Sequence, residues 1–131
     1  MHADPYGKNG GQEEVAAFIR ASFRSVWDLE LLCFLRRAPD HNQHPATLVT
    51  GLRASELVVA NSISALLAAG LIVEDPDHSV RYAPASLDLG RLAEQADALY
   101  ARSPGAIRRM IVTASNPGIA AFADAFRLRK G

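Results

Sequence analysis

Residues 55–74 decide the fold, and they read SELVVANSISALLAAGLIVE. Ser55 is a residue type that caps helix N-termini, and Gly70 is typical of the left-handed position that ends a helix. At 100° per residue, the stripe that should face the protein interior is formed by Val59, Ile63 and Leu66. The stretch therefore predicts a helix from Ser55 to about Ala69 that packs through this stripe.

A β-hairpin is predicted directly after Gly70. Residues 71–74 and 80–82 are short runs with β-prone side chains. The turn-forming residues between them are Asp75, Pro76, Asp77, His78 and Ser79. Two β-prone runs joined by such a cluster are typical of a hairpin.

Three helices are predicted ahead of Ser55. The first runs from Gln12 to about Phe23 at helical spacing, and the third is a short helix opened by Pro45. The second, capped by Ser25, is apolar on most sides and should be the central buried helix. The aromatic residues expected in the core are Phe18, Trp27 and Phe34.

Three helical stretches follow the hairpin. Ser86 caps a long helix that extends to about Tyr100, and a second helix starts at Ser103-Pro104. The sequence 116–118, Asn-Pro-Gly, ends that helix. The last stretch, 119–129, is amphipathic, and its apolar stripe includes Ile119, Phe122 and Phe126.

This order of elements, and above all the Ser55-to-Ile72 pattern, resembles the DNA-binding core of winged helix-turn-helix bacterial regulators of the MarR and ArsR kind. The resemblance covers residues 27–82, and the flanking helices are more similar to the MarR arrangement. It implies a mainly α fold with a small β-hairpin and N- and C-terminal flanking helices. It also implies a homodimer that binds double-stranded DNA and regulates transcription.

The expected organisation is a flexible segment at residues 1–11 and a single winged-helix domain at 12–131. Its core would span about 26–83, and a helical region for dimerisation or partner binding about 86–131. The length of 131 residues suits one domain, and the single cysteine cannot form an internal disulfide. Without a secretion signal or a long apolar run, we expect a cytoplasmic protein that is not in the membrane.

The charges are unevenly distributed although the chain is neutral overall. Residues 53–100 carry three basic and seven acidic groups, whereas residues 101–131 carry six basic groups and one acidic group. Phosphate neutralisation by Lys and Arg supplies most non-specific affinity for DNA. The acidic middle of the chain therefore departs from the usual pattern of the regulators that it resembles.

Five residues are the candidates for DNA binding, namely Arg53, Ser55, Asn61, Ser64 and Arg81. Asn61 is able to bond an adenine edge at two points, and Ser64 suits either a base or a phosphate. The residues expected on the outward arc of the capped helix are Leu57, Asn61, Ser64, Ala65 and Ala68. The flanking residues considered for further phosphate contacts are Arg36, Arg37, Arg127, Arg129 and Lys130.

An alternative function is a winged-helix adaptor that binds another protein and has little or no affinity for DNA. Its docking strip would be apolar and would consist of Leu57, Val58, Ala65 and Ala68. The residues expected at a dimer or partner interface are Phe18, Ile119, Phe122 and Phe126. The resemblance favours DNA, whereas the side chains of the capped helix favour a protein partner.

No motif in the sequence supports an enzyme, a cofactor or a metal site. Cys33 lies between apolar neighbours, so we expect a buried, unreactive thiol. His41 and His44 lack further ligands at a suitable spacing for zinc, so we expect them in a solvated connector.

Overall fold

The computed structural model describes the backbone of residues 5–116 and the side chains from Gly11 onward. This part of the chain is mainly helical and has one small antiparallel sheet. In chain order the elements are α1 (Pro5–Ser22), α2 (Val26–Arg36), α3 (Pro45–Leu52), α4 (Glu56–Ala68), β1 (Ile72–Glu74), β2 (Val80–Tyr82), α5 (Leu87–Arg102) and α6 (Pro104–Ser115).

The first helix begins at Pro5, earlier than the predicted start at Gln12. The glycines of this segment argued against a helix, because each costs about 1 kcal/mol relative to alanine. Proline is well tolerated in the first turn, where its missing N–H has no helical partner. Residues 5–11 therefore continue α1 toward the N-terminus.

Helix α2 forms the centre of the core, as its apolar sequence predicted. The carboxylate of Asp28 accepts hydrogen bonds from the backbone N–H groups of Arg24 (2.8 Å) and Ser25 (3.3 Å). These bonds satisfy donors at the start of the helix that have no partner within it. The fully buried leucines of α2 are Leu29, Leu31, Leu32 and Leu35.

Trp27 corrects the prediction that all three aromatic residues lie in the core. Its side chain is 38% exposed, whereas Phe18 is buried and Phe34 is partly buried against the core. Trp27 lies in the first turn of α2, where the depression beside it is lined on α4 by residues no larger than Val58 and Asn61. These short side chains leave part of the indole ring in contact with solvent.

Helices α3 and α4 form a two-helix unit with a tight connection. Arg53 adopts the left-handed conformation with φ 56°, and Ser55, two residues further on, caps α4. Helix α3 lies close to the ring of Phe34 at Gly51, because a Cβ atom there would be 2.7 Å from that ring. Both helices also contact α2. The connection between them is at the surface, since Arg53 and Ser55 are exposed.

The predicted hairpin is present. Gly70, with φ 75°, ends the α4 region, and β1 then pairs with β2 in the register Ile72↔Tyr82, Val73↔Arg81 and Glu74↔Val80. Gln43, in the connector before α3, forms an additional antiparallel bridge with Val80. Its N–H donates to the Val80 carbonyl at 2.8 Å and its carbonyl accepts from the Val80 N–H at 2.9 Å.

Helices α5 and α6 pack on α1 and on each other. Ser86 caps α5 by accepting a hydrogen bond from the Leu89 N–H at 3.1 Å, as predicted. The core residues that these helices supply are Leu92, Ala93, Ala96, Ile107 and Ile111. Among residues 5–116, no helix combines the length and the apolar character that crossing a membrane requires.

Candidate nucleic-acid interface

The outer face of α4 presents two of the predicted polar residues to solvent. Asn61 and Ser64 are exposed, whereas the stripe predicted to face inward is buried at Val59, Ile63 and Leu66. The hydroxyl of Ser55 accepts a hydrogen bond from the Val58 N–H at 3.1 Å. Ser55 therefore serves as the helix cap.

Ala65 corrects the prediction of an outward apolar strip. Its side chain is only 4% exposed, whereas Leu57 is 70% exposed and Ala68 is also at the surface. Helix α4 contacts α2, α3 and β1, so its buried arc is wider than three stripe positions require. Ala65 belongs to that wider arc and is unable to contribute to a surface strip.

The two arginines predicted to contact DNA lie on different elements. Arg53 is exposed in the connection between α3 and α4. Arg81 lies on β2 opposite Val73, and side chains alternate between the faces of a strand. The side chain of Arg81 therefore projects from the face of the hairpin opposite to that of Glu74 and Val80. The structure thus brings Asn61 and Ser64 together on one face of α4, whereas Arg53 and Arg81 lie on other elements.

A groove of about 460 Å³ lies between α3, α4 and the hairpin. Its apolar lining comes from Pro45, Ala46, Val49, Ala60, Ile63 and Leu67. The polar groups at its edge are Glu56, Ser64, Glu74 and His78. Sequence analysis missed this groove, although Ala46 and Val49 are spaced to share a face of α3. The floor of the groove is apolar, and the side chains of Glu56 and Glu74 give its edge a negative charge.

The hairpin turn is held by a short network of polar side chains. The amide of Asn42 donates to the Ser79 hydroxyl at 2.9 Å and also bonds the carboxylate of Asp75. The Ser79 hydroxyl and N–H in turn donate to the Asp77 carboxylate, at 2.6 and 3.0 Å. These bonds from Ser79 lower the pKa of Asp77 below its usual value, so its negative charge persists into mild acid.

Two imidazoles of the described residues, those of His44 and His78, lie beside carboxylates of the hairpin. His44 Nε2 lies 3.8 Å from Asp77, and His78 Nδ1 lies 3.4 Å from Glu74. All four side chains are well exposed, so such pairs contribute little to stability. The hairpin turn is therefore an ordered and mainly acidic surface.

Arg36 is not available for phosphate contacts, although the sequence placed it among the flanking candidates. Its guanidinium forms an ion pair with Asp97 and lies 5.5 Å from the centre of the Tyr82 ring. The same carboxylate accepts a hydrogen bond from the Cys33 thiol at 3.2 Å. Arg36 is thus used to join α2 to α5 and to the hairpin. Arg37, the next residue, is exposed.

The histidines of the connector, His41 and His44, are exposed as predicted. No cluster of three or more His, Cys, Asp or Glu side chains within residues 11–116 is arranged to hold a metal ion.

The residues predicted at a dimer or partner interface divide into two groups. Phe18 is 7% exposed in the single chain and packs edge-to-face on Phe23, with ring centres 5.7 Å apart. Its ring faces the chain's own core because its neighbours in α1 follow the same apolar stripe. The other predicted interface residues lie outside the described part of the chain and are Ile119, Phe122 and Phe126.

Comparisons of this chain with protein-family models, with curated proteins and with solved structures found no match.

Proposed function

We propose that this chain is a winged helix-turn-helix protein that binds double-stranded DNA as a homodimer and regulates transcription. The observation that carries the proposal is the bridge between Gln43 and Val80 beside the two-helix unit α3–α4. In a winged helix, the connector before the two-helix unit adds a strand to the hairpin that follows it. The order helix, bridge, helix, helix and hairpin supports the proposed winged-helix assignment.

Helix α4 is the proposed recognition helix. Its exposed Asn61 is suited to adenine, and Ser64, close to one turn further on, suits a base or a phosphate. Arg53 in the preceding connection would hold a backbone phosphate. Each of these side chains is at the surface in the described structure, so none has to be released from the core before it contacts DNA.

The acidic groove and turn limit the electrostatic part of this binding. With two phosphate contacts for each protomer, from Arg53 and Arg81, a dimer neutralises about four phosphates. A slope of roughly −4 in log K against log salt is then expected, which is shallow for a DNA-binding dimer. Specific contacts would carry a larger share of the affinity than electrostatics.

An electrophoretic mobility shift assay with the DNA upstream of this gene tests the proposal. We expect a complex at low salt that competitor DNA of unrelated sequence does not remove. Asn61→Ala should weaken it roughly tenfold, in line with about 1–3 kcal/mol for a bidentate base contact. Gln95→Ala, which removes an exposed amide on α5, is the matched control and should leave binding unchanged. A folded, dimeric protein that forms no specific complex even at low salt contradicts the proposal.

A second candidate function is an adaptor, and the groove between α3, α4 and the hairpin favours it. An apolar floor with Glu56 and Glu74 at its edge is complementary to an amphipathic helix with basic flanks. The ligand that this groove suits is therefore a basic helix of a partner protein. A synthetic amphipathic peptide of leucine and lysine at helical spacing is the probe.

If the chain is an adaptor, we expect the peptide to bind the full chain. The double variant Glu56→Gln with Glu74→Gln should bind the peptide more weakly. Glu94→Gln, an exposed carboxylate on α5, is the control. Equal binding to all variants excludes the groove as the peptide site. A substitution at Ala65 is unsuited to this test, because a charge at that buried position would disturb the core before it affected any surface.

A further inference from the structure

The surface depression beside Trp27 contains a basic residue that the sequence did not single out. This depression of about 410 Å³ lies between the start of α2 and α4. Both exposed polar residues of the proposed recognition helix, Asn61 and Ser64, line it. So does Arg24, in the connection between α1 and α2, which is the one basic residue of the lining. The side chains proposed to contact DNA therefore share a surface with an arginine.

The backbone of Arg24 is held from both sides, whereas its side chain is exposed. Its N–H donates a hydrogen bond to the Asp28 carboxylate at 2.8 Å, and its carbonyl accepts one from the Ser115 hydroxyl at 2.6 Å. Within residues 11–116, none of the ion pairs involves the guanidinium of Arg24. In contrast, carboxylates already pair with Arg36 and Arg91. The charge of Arg24 is thus available to a ligand of the depression.

Asp28 is the one acidic residue of the same lining, and its charge is turned to the protein's own backbone. The residue is only 2% exposed. Its carboxylate accepts hydrogen bonds from the N–H groups of Arg24 and Ser25 and from the Ser25 hydroxyl. It also lies in the first turn of α2, where the helix dipole stabilises a negative charge. The accessible charge of the depression is therefore positive, which favours an anion.

In helix-turn-helix complexes the recognition helix lies in the major groove, and residues beside it reach the sugar–phosphate backbone. Arg24 is beside α4 in this sense, because it lines the same depression as Asn61. The planar guanidinium of arginine matches the oxygens of a phosphate. We infer that Arg24 binds a backbone phosphate of the DNA, next to the base that Asn61 contacts. This inference rests on the proposed function and adds a third phosphate contact to those of Arg53 and Arg81 in each protomer.

The salt dependence of DNA binding measures this contact. Two more phosphate contacts in the dimer make the slope of log K against log salt steeper by about 2 than four contacts alone. Arg24→Gln should therefore make the slope shallower by about 2 between roughly 50 and 200 mM salt. It should weaken binding to the upstream DNA and to unrelated DNA by the same factor, because a phosphate contact carries no sequence information.

Two further variants are the controls. Arg24→Lys keeps the charge and should keep the slope of the unchanged protein. Arg102→Gln removes an equal charge from the last turn of α5, outside this lining, and should also leave the slope unchanged. Circular dichroism and size-exclusion chromatography establish that each variant is folded and dimeric. Arg24→Gln retains both backbone hydrogen bonds, and Arg24→Met is measured in its place if that variant is not folded.

The outcomes separate this inference from the proposed function. If Arg24→Gln binds the upstream DNA with the slope of the unchanged protein, the inference is overturned and the proposed function stands. An equal change of slope in Arg24→Gln and Arg102→Gln also overturns it, because the slope would then report net charge. So does a loss of affinity confined to the upstream DNA, which would make Arg24 a base contact. If the unchanged protein forms no specific complex, the proposed function fails and this inference fails with it.

Discussion

The thiol of Cys33 on α2 donates a hydrogen bond to Asp97 on α5, with Sγ 3.2 Å from Oδ1. The other oxygen of that carboxylate is paired with Arg36, one turn further along α2. A single carboxylate thus bonds two side chains of the central helix and ties α5 to it. Burial first, and the hydrogen bond to Asp97 second, raise the pKa of Cys33 to about 12.

Cys33 should therefore react very slowly with thiol reagents in the folded protein. At pH 8 the thiolate fraction at a pKa of about 12 is about a thousandfold below that of a thiol at 9.0, and only the thiolate is nucleophilic. The rate of modification by 5,5′-dithiobis(2-nitrobenzoic acid) measures this difference. Asp97→Asn removes the negative charge and should speed the reaction.

The same protein in guanidinium chloride is the control, and it should be modified at the rate of an ordinary thiol. Rapid modification of the folded protein would show that Cys33 is accessible and ionised.

The raised pKa of Cys33 also makes the stability of the folded protein depend on pH. Because the unfolded thiol loses its proton near pH 9 and the folded thiol does not, this group makes the folded state less stable as pH rises from 9 toward 12.

Leu66→Ala should lower the free energy of unfolding by about 2–5 kcal/mol, because Leu66 is fully buried on the inner face of α4 and the substitution leaves a cavity. Leu57→Ala is the matched control on the same helix. Its side chain is 70% exposed, so a change within about 0.5 kcal/mol is expected. Urea unfolding followed by circular dichroism measures both. Equal losses in the two variants would contradict the assignment of the inner and outer faces of α4.

Two glycines within helices should respond to alanine with opposite signs. At Gly11 nothing lies within 4 Å of a new Cβ atom, so Gly11→Ala should stabilise the protein by about 0.5–1 kcal/mol through helix propensity. At Gly51 the new atom would be 2.7 Å from the Phe34 ring. Gly51→Ala should therefore destabilise the protein, despite the same gain in propensity. Thermal unfolding of the pair gives the two signs, and stabilisation at Gly51 would show that α3 is not held against that ring.

Ser79→Ala should raise the pKa of Asp77 toward its usual value of 3.8, because the two strongest causes that lower it are hydrogen bonds from Ser79, and the variant loses the one from the hydroxyl. In the unchanged protein, Asp77 contributes stability above pH 3.8 that is lost as pH falls through its lower folded pKa. The side-chain carboxyl resonance of Asp77, followed by NMR from pH 6 to pH 2, measures the shift directly.

The exposed hydroxyl of Ser64 provides the control for that titration. Ser64→Ala leaves the hairpin turn intact, so the titration of Asp77 should not change. If Ser79→Ala leaves the Asp77 titration unaltered, the hydrogen bonds to Ser79 do not set its pKa.

The sequence was sufficient to predict the elements that depend on local patterns. The helix capped at Ser55, the glycine stop at Gly70 and the hairpin after it are all confirmed. These features rest on capping chemistry, backbone conformation and side-chain period, each of which acts within a few residues. The winged-helix assignment and its DNA-binding residues remain predictions.

The errors arose where distant parts of the chain decide the environment of a residue. Ala65 is buried although its position on the helix predicted an outward side chain, because the elements that pack on α4 bury a wider arc than its apolar stripe indicates. Trp27 is exposed because short side chains on α4 face it. The groove beside the hairpin likewise requires α3, α4 and the turn to be placed together. Hydrophobic period alone gives the direction of a side chain but not the size of its neighbours.

The bridge from Gln43 to Val80 couples two segments that are far apart in sequence. Gln43 directly precedes His44, the N-cap residue of α3, so the hairpin is joined to the start of that helix. A force that displaces the hairpin must therefore tilt α3 or break two backbone hydrogen bonds. Movement of the hairpin is therefore coupled to the start of α3 through these two hydrogen bonds.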